Sequence, residues 1–414
     1  MRVTVRLPFS SAGLRYRVGL SPVRLVVVLA VLTVLPLLYL SLGGGPALLC
    51  SRSPIRTVCS QVESGLALGS LCHDLCHLHA ISPLSCPPWH RAKDVVFSAL
   101  WRQSVPVVGK ARTLDLDTES QHVVFWTAEN NTLAFSSIED FQLTLENHLK
   151  INFNLSLPNK KGLLSLWPHS LNKESLTEEE NAWLRQSSMK NIWTLSLDPE
   201  FVYGRLFKEF DVFPEVYGTC GGLFFVEKLE PLDLPYFLQS LDFGGWVARA
   251  KLALAILDLV EELDTMFDFP LHLCDVKSEH FGISGSGRVK YLDGDNVYLK
   301  PVADRTVGDG SPCSRDSDCH LFDCTGRCDL DENKCSGPVR NSNLQVVCSK
   351  IFLNRKIGLK FLGGSGLLLS KHASAGLLET LEACAEGEGE ADRVINNLRT
   401  QLKEVVFISE QLQN

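Results

Sequence analysis

The sequence predicts a mixed α+β fold that follows a single membrane-spanning helix. Between residues 94 and 128, short runs rich in β-branched and aromatic residues are typical of strands. Beyond residue 138, longer segments carry apolar residues at helical spacing. Near the N-terminus, residues 25–42 form an uncharged apolar run that is long enough to cross a bilayer.

The composition of the 414-residue chain is that of a globular protein. A hydrophobic fraction of 45% and a charged fraction of 21% argue against wholesale disorder and allow one large domain or two medium ones. The net charge of −8 gives no support for nucleic-acid binding, so we expect no nucleic-acid partner.

The apolar run 25–42 predicts a transmembrane signal anchor, which makes the lipid bilayer an expected partner. The segment 1–24 carries arginines and no acid, so the positive-inside rule makes it a cytosolic tail and gives a type II topology with a lumenal C-terminal part. A cleaved signal peptide is the alternative, because "GGGPA" offers small residues to a peptidase. The long tail and the long apolar run favour the anchor.

Cysteine usage supports an oxidising lumen, because every one of the 14 cysteines lies at or after Cys50. Glycosylation sequons begin at Asn130 and Asn154, also on the predicted lumenal side. The tail sequence "LRYR" (14–17) resembles an arginine-based retrieval signal of the endoplasmic reticulum, although charges that only set the topology would look the same. The predicted location is the endoplasmic reticulum membrane, with the Golgi as an alternative. The disulfide candidates are Cys50, Cys59, Cys72, Cys76, Cys86, Cys220, Cys274, Cys313, Cys319, Cys324, Cys328, Cys335, Cys348 and Cys384.

Two segments are especially rich in cysteine. Residues 43–92 predict a disulfide-tied lumenal stem, and residues 313–348 predict a disulfide-stapled insert with little apolar core. The stem sequence "CHDLCHLH" also suggests zinc, and the acids of the insert suggest calcium, but disulfides and solvated acidic loops are the commoner explanations. The zinc alternative uses Cys72, Cys76, His77 and His79, and the calcium alternative uses Asp316, Asp318, Asp323, Asp329 and Asp331.

Local patterns place the first strands and helices. The predicted strands cover residues 94–101, 105–111 and 122–128, and a helix is predicted over 138–149. Thr177 and Glu180 form the Thr-x-x-Glu of a capping box. Asp198 followed by Pro199 marks the start of a further helix.

The elements predicted after residue 214 lead to a hairpin that has an aspartate before it and another after it. Strands over 214–220 and 222–229 meet at Gly221, and a long helix follows over 246–267. The runs "HFGIS" and "RVKYLDG" flank a glycine-rich turn, which predicts a hairpin with Asp275 before it and Asp293 after it. Residues 350–412 are predicted to be helical, with an apolar face at Leu398, Leu402, Val405 and Val406.

The stretch 272–299 resembles the catalytic and metal-binding loops of protein kinases. Asp275 stands at the catalytic Asp, and Lys277 follows it by two residues, as in many kinases. Asp293 follows the hairpin as the metal-binding Asp does, within the triplet Asp-Gly-Asp. His280 replaces the metal-binding Asn.

The upstream sequence is similar to a kinase N-lobe, which implies a divergent two-lobed protein-kinase-like fold. "LFKEFDVFPEVYGTCGGLFFVEKLEPL" resembles the end of helix αC, two strands and the hinge, with Glu227 and Leu229 at the nucleotide. "VPVVGKA" resembles the strand that carries the phosphate-binding lysine, here Lys110. The implied lobes are 93–230 and 231–414, the second of which contains the cysteine-rich insert.

Together, the predicted anchor, the cysteine pattern and the kinase motifs resemble those of the divergent protein kinase domain family. The members of this family are cysteine-rich type II membrane proteins of the endoplasmic reticulum. The resemblance spans nearly the whole chain, and "LCDVKSEHFG", "GTCGGLFFVEKLEP" and "CSRDSDCHLFDCTGRCDLDENKC" carry it. The family's EF-hand-like loop would fall at 167–178. Only Glu178 fits the calcium pattern there, so we expect no calcium at that degenerate loop.

The resemblance implies ATP with Mg²⁺ or Mn²⁺ as cofactors. It implies that Asp275 accepts the hydrogen bond of the acceptor hydroxyl, that Lys277 steadies the transferred group, and that Asp293 ligates the metal. Lys110 would hold the nucleotide phosphates and pair with a glutamate of helix αC. The sequence leaves that glutamate open between Glu178, Glu200 and Glu209.

Three departures weaken the expectation of catalysis. His280 offers nitrogen where Mg²⁺ prefers oxygen. "FSALWRQSVP" before the Lys110 strand holds no glycine, and no Ala-Pro-Glu follows Asp293. The sequence therefore leaves three hypotheses open: a weak or atypical phosphotransferase, an inactive pseudokinase that serves as a scaffold for lumenal proteins or glycans, and a disulfide-rich adaptor in which the acids are incidental.

Overall fold

A computed structural model describes residues 45–85, 93–116, 126–129, 132–135, 137–156, 177–232, 242–355 and 366–413. The predicted tail and anchor (1–42), the sequon at Asn130 and residues 167–176 of the EF-hand-like loop lie outside these ranges. Within the ranges, none of the helices combines the length and the apolar character that a membrane crossing requires.

The cysteine-rich stem packs against the lobe that follows it. It forms helix α1 (Gly45–Glu63), a π-helical turn (His73–His77) and strand β1 (Ile81–Ser85). Disulfides join Cys59 to Cys76 and Cys72 to Cys220. The zinc alternative is therefore wrong for both cysteines, because the metal ligand is a thiolate and these sulfurs are oxidised.

An antiparallel sheet of five strands forms the N-lobe, in the order β1-β2-β3-β7-β6. The strands after β1 are β2 (Val95–Trp101), β3 (Val105–Ala111), the separate hairpin β4 (Trp126–Glu129) and β5 (Thr132–Phe135), then β6 (Val216–Cys220) and β7 (Leu223–Glu227). The strands predicted over 94–101, 105–111, 214–220 and 222–229 are confirmed. Gly221 forms the predicted turn at φ +61°, a left-handed conformation that favours glycine.

Three helices accompany this sheet: α2 (Ile138–Phe153), α3 (Glu178–Ser196) and α4 (Pro199–Leu206), and a 3₁₀ turn (Lys208–Phe210) follows them. Helix α2 continues one turn beyond the predicted end at residue 149. The capping box of Thr177 and Glu180 is confirmed by hydrogen bonds in both directions. Asp198 caps α4 by accepting a hydrogen bond from the backbone N–H of Glu200 at 3.0 Å, and Pro199 is its first residue, as predicted.

The C-lobe begins with short strands and one long helix. Its elements are β8 (Glu230–Pro231), α5 (Phe243–Thr265), β9 (Leu271–Leu273), a 3₁₀ turn (Ser278–His280), β10 (Phe281–Ile283), β11 (Val289–Tyr291), a second 3₁₀ turn (Gly294–Asn296), β12 (Val297–Leu299) and α6 (Lys300–Val307). Helix α5 starts before the predicted residue 246, because the side chain of Asp242 caps it at Gly245. The predicted hairpin is confirmed as β10 and β11.

The cysteine-rich insert and the terminal helices complete the C-lobe. They comprise a 3₁₀ turn (Asp316–Asp318), β13 (His320–Leu321), β14 (Cys324–Thr325), β15 (Arg327–Asp329), β16 (Lys334–Ser336), α7 (Asn343–Val347), a π-helical turn (Cys348–Phe352), α8 (Ala375–Glu386) and α9 (Ala391–Gln413). Leu398 and Leu402 of α9 are fully buried, as their spacing predicts.

Disulfides bind the insert both internally and to the rest of the lobe. Two bonds are internal, Cys313–Cys328 and Cys319–Cys335, and two lead out of it, Cys274–Cys324 and Cys348–Cys384. The side chains of Cys50 and Cys86 lie outside the described part of the chain. The insert is thus connected covalently to the residue before Asp275.

Helix α4 lies between the two lobes and contacts both. Phe201 packs edge-on against Phe224 of β7, with ring centroids 5.7 Å apart. The hydroxyl of Tyr203 donates a hydrogen bond to the carbonyl of Val297 at 2.9 Å. The first turn of α4 is therefore fixed relative to both the sheet and the loop that carries Asp293.

Candidate active site

Lys110 of β3 meets a glutamate on the first turn of α4. Its ammonium donates a hydrogen bond to Glu200 Oε2 at 2.5 Å and another to the carbonyl of Leu292 at 3.2 Å. Of the three glutamates that the sequence left open, the structure selects Glu200. The pair has the arrangement of the β3 lysine and αC glutamate of protein kinases.

The triplet Asp293-Gly294-Asp295 follows β11 and packs against Glu200 in the first turn of α4. Asp293 accepts a hydrogen bond from the N–H of Asp295 at 3.2 Å. A Cβ at Gly294 would lie 3.2 Å from the Cα and 3.1 Å from the Cγ of Glu200. A side chain at this position would crowd the first turn of α4, so glycine allows the backbone of the triplet to pack closely against that turn.

The loop after β9 carries the predicted catalytic residues. Lys277 donates a hydrogen bond to Asp275 Oδ2 at 2.8 Å, and this bond raises the pKa of the lysine. The backbone carbonyl of Asp275 accepts from the hydroxyl of Tyr291 at 2.8 Å and from the ring of His280 at 2.8 Å. The backbone of the loop is thus fixed from β11 and from the 3₁₀ turn.

The ring of His280 lies between the backbone carbonyl of Asp275 and the carboxylate of Asp293. A carbonyl only accepts, so Nδ1 carries the hydrogen that meets Asp275, and Nε2 points to Asp293 Oδ2 at 3.2 Å. A cation bound between Nε2 and the carboxylate of Asp293 would have a ligand on each side. Metal-bound histidines typically donate their other N–H to such a carbonyl.

These side chains fit a divalent metal. The ligand atoms of Asp275, His280 and Asp293 lie within 4.8 Å of one another, and so do those of Glu200, Asp293 and Asp295. Carboxylate oxygens suit Mg²⁺ or Mn²⁺, whereas the imidazole nitrogen is a better ligand for softer ions than Mg²⁺. The mixed set therefore favours Mn²⁺ over Mg²⁺.

A second lysine, which no sequence pattern indicated, lies beside Lys110. Lys93 donates hydrogen bonds to Asp295 Oδ1 at 2.7 Å and to Asp198 Oδ2 at 2.9 Å. Burial disfavours its charge, but the surrounding carboxylates outweigh burial and raise its pKa. Burial also raises the pKa of Asp295 to about 6, although Lys93 opposes this shift.

The charges around Lys93 and Lys110 do not balance. Asp198, Glu200 and Asp295 form ion pairs with the two lysines, and the carboxylate of Asp293 lies within 4.8 Å of those of Glu200 and Asp295. Burial raises the pKa of Asp198, as it raises that of Asp295. When all four acids are ionised, they exceed the two lysines by two charges, which a divalent ion would neutralise.

The cysteine-rich insert holds the loop around Asp275 through the carboxylate and the backbone of Asp323. Asp323 accepts a hydrogen bond from the N–H of Val276 at 2.7 Å, and its own N–H donates to the carbonyl of Cys274 at 2.8 Å. Lys350 donates to both carboxylate oxygens of Asp323 at 2.7 Å. With the Cys274–Cys324 bond, the insert thus fixes the backbone on both sides of Asp275.

The other residues predicted from the sequence, for nucleotide binding, glycosylation and calcium, lie outside the cluster around Lys110 and Asp293. Glu227 and Leu229 join β7 to β8 at the hinge position, where Glu227 accepts a hydrogen bond from Lys290 at 2.8 Å and Leu229 is buried. Asn154 ends α2 in a left-handed conformation. In the insert, Asp316, one of the acids of the calcium alternative, accepts a hydrogen bond from the backbone N–H of Cys328. Such a contact also forms in loops that bind no metal.

Two family models match this chain. One, described as the protein-kinase domain of FAM69, matches residues 192–387. The other, described as the N-terminal cysteine-rich endoplasmic reticulum domain of FAM69, matches residues 16–166. Together they cover most of the chain and both lobes.

A solved structure, the complex of Rv3197 with erythromycin from Mycobacterium tuberculosis, is also similar. The match covers 67% of this chain and 64% of that chain, at 13% identity and a TM-score of 0.25. A likeness this low says nothing about the fold or the function of the present chain.

Proposed function

The chain belongs to the FAM69 family of divergent protein kinases, and from this premise we propose that it binds ATP with a divalent metal and transfers a phosphoryl group to a hydroxyl acceptor. The observation that carries this proposal is the Lys110–Glu200 pair, whose glutamate carboxylate lies within 4.8 Å of the carboxylates of Asp293 and Asp295. The proposed location is the lumenal face of the endoplasmic reticulum membrane, supported by the cysteine-rich N-terminal match and by the disulfides.

Each residue has a defined task in this proposal. Lys110, oriented by Glu200, would hold the nucleotide phosphates. Asp293 and His280 would hold the metal, which when bound neutralises charge on the phosphates. Asp275 would accept the proton of the acceptor hydroxyl, and Lys277 lies close enough to Asp275 to stabilise the negative charge that transfer develops.

A nucleotide-binding scaffold without transfer is the second candidate. Lys277 already occupies one carboxylate oxygen of Asp275, the group that would accept the proton. His280 supplies nitrogen at the position of an oxygen ligand. Both contacts are compatible with binding and unfavourable for a fast transfer step.

Thermal unfolding of the purified 414-residue chain tests nucleotide binding. We expect ATP with Mn²⁺ to raise the melting temperature, and Lys110→Met to remove most of that shift because the phosphates lose their cation. Lys150→Met, on an exposed face of α2, is the matched control and should keep the shift. No shift in the wild type with either Mg²⁺ or Mn²⁺ contradicts nucleotide binding.

Transfer of radiolabelled phosphate separates the two candidates. Incorporation that Asp275→Ala abolishes supports the phosphotransferase. A nucleotide shift in melting temperature without any incorporation that depends on Asp275 supports the scaffold.

A further inference from the structure

Lys93 enters the site from the strand next to that of Lys110. It precedes β2, whose residue Val96 lies opposite Lys110 in the register of the sheet. Its side chain is 5% exposed, so it reaches into the protein and not into solvent. A buried lysine is held only where partners compensate the cost of desolvating its charge.

Lys93 and Lys110 share one glutamate. Glu200 Oε2 accepts from Lys110 at 2.5 Å, and Glu200 Oε1 lies 3.6 Å from the ammonium of Lys93. Lys93 thus extends the lysine–glutamate pair of the kinase arrangement by a second cation. This second cation is the one that contacts the triplet containing Asp293.

The contacts of Lys93 join three segments that are far apart in the chain. Asp198 begins α4, and Asp295 ends the triplet that begins with Asp293. No other lysine or arginine among the described residues is shown to contact Asp295. Lys93 therefore draws the triplet toward α4, where Gly294 makes the close approach to Glu200.

We propose that Lys93 is a positioning residue for the metal: it holds the Asp293-Gly294-Asp295 turn against α4, so that the carboxylate of Asp293 stays where, together with the ring of His280, it would hold the ion. This inference rests on the metal alone for the first arm of its test and on the proposed function for the second, which uses an ATP analogue. Without Lys93, the carboxylates of Asp198, Glu200 and Asp295 repel one another and the turn moves away from α4.

The test uses variants of the purified 414-residue chain. Lys93→Met removes the charge and keeps the apolar stem, whereas Lys93→Arg restores a cation. Lys290→Met is the matched control, because Lys290 is also buried and also lies between two carboxylates, those of Asp211 and Glu227, outside the triplet.

The first arm measures Mn²⁺ alone, by the rise in melting temperature that MnCl₂ produces. The second measures the Kd of a fluorescent ATP analogue with MnCl₂ and with EDTA. We expect Lys93→Met to weaken Mn²⁺ binding about tenfold and to weaken binding of the ATP analogue in MnCl₂ by a similar factor. The affinity for the analogue in EDTA should be unchanged, because Lys110 is still present. Lys93→Arg should recover most of the loss, and Lys290→Met should lose stability but keep the effect of Mn²⁺.

Three outcomes overturn the positioning role. Lys93→Met could bind Mn²⁺ as tightly as the wild type or more tightly, as a simple gain in negative charge would cause. Lys290→Met could lose the effect of Mn²⁺ equally, which would reduce Lys93 to a stabilising residue. A wild type without any Mn²⁺ effect overturns it as well, whereas Mn²⁺ binding without ATP binding contradicts only the proposed function.

Discussion

Replacement of Cys274 and Cys324 by alanine removes the covalent bond between the Asp275 loop and the insert. The two residues are 50 apart in sequence, and closing a loop of that length in the unfolded chain stabilises the fold by about 4 kcal/mol at 25 °C. The crossing bond Cys313–Cys328 shortens the path to roughly 43 residues, which changes the value by only about 0.1 kcal/mol. We therefore expect the pair of substitutions to lower the free energy of unfolding by about 4 kcal/mol.

The same substitutions have a local consequence at Asp275. The N–H of Val276 donates to Asp323, whose neighbour Cys324 carries the disulfide. Without the bond, the insert opens from the loop more often, so the amide of Val276 exchanges its hydrogen faster. Urea unfolding measures the global effect, and hydrogen exchange by mass spectrometry over residues 271–283 measures the local one.

Cys348 and Cys384 provide the matched control. Their bond spans 36 residues in the same lobe, so its removal also costs about 4 kcal/mol. Neither cysteine contacts Asp323 or the Asp275 loop. Cys348 shares a π-helical turn with Lys350, which bonds Asp323, so the Val276 amide should lose less protection than in the first pair, relative to the global stability. The reasoning is refuted if the first pair costs less than about 1 kcal/mol, or if both pairs accelerate exchange at Val276 equally.

Three further predictions concern single residues. Glu200→Gln leaves Lys93 and Lys110 without their shared partner, and urea unfolding should show a loss of about 3 kcal/mol; a loss below about 1 kcal/mol contradicts the pair's importance. His280→Asn restores an oxygen ligand, so the Mg²⁺ affinity measured by calorimetry should rise about tenfold relative to Mn²⁺, and an unchanged ratio contradicts His280 as a ligand. Burial raises the pKa of Asp264 to about 6, so the folded state binds a proton that the unfolded state has released, and stability should fall as the pH rises from about 4 to about 6. Asp264→Asn should remove that pH dependence and raise the free energy of unfolding at pH 7 by about 2 to 3 kcal/mol. Parallel curves of urea midpoint against pH for the wild type and the variant would contradict this prediction.

Local signals explain which elements the sequence could place. The capping box at Thr177 and the Asp198–Pro199 pair each depend on atoms within a few residues, and both are confirmed. The strands of the N-lobe carry β-branched and aromatic residues between clear turns, and their bounds agree with the structure to within two residues. These features need no knowledge of the rest of the fold.

The site depends instead on contacts between distant segments. Lys93 lies 105 residues from Asp198 and 202 residues from Asp295, and a lone lysine before a strand has no pattern that indicates such partners. Glu200 was one of three open glutamates until the packing of α4 brought it to Lys110. The disulfide partners of Cys72 and Cys274 were equally open, because spacing does not determine connectivity.

The way these contacts are made suggests how the site differs from that of a regulated kinase. In protein kinases, phosphorylation orders the activation segment and thereby brings αC and the metal-binding Asp into place. Here the insert that follows Asp293 is held by disulfides, and the Asp275 loop is bonded to it through Cys274 and Asp323. Lys93 joins α4 to the Asp293-Gly294-Asp295 turn by buried ion pairs. The candidate site is therefore joined to the insert by a disulfide and to α4 by buried ion pairs, where a regulated kinase depends on a phosphorylated segment.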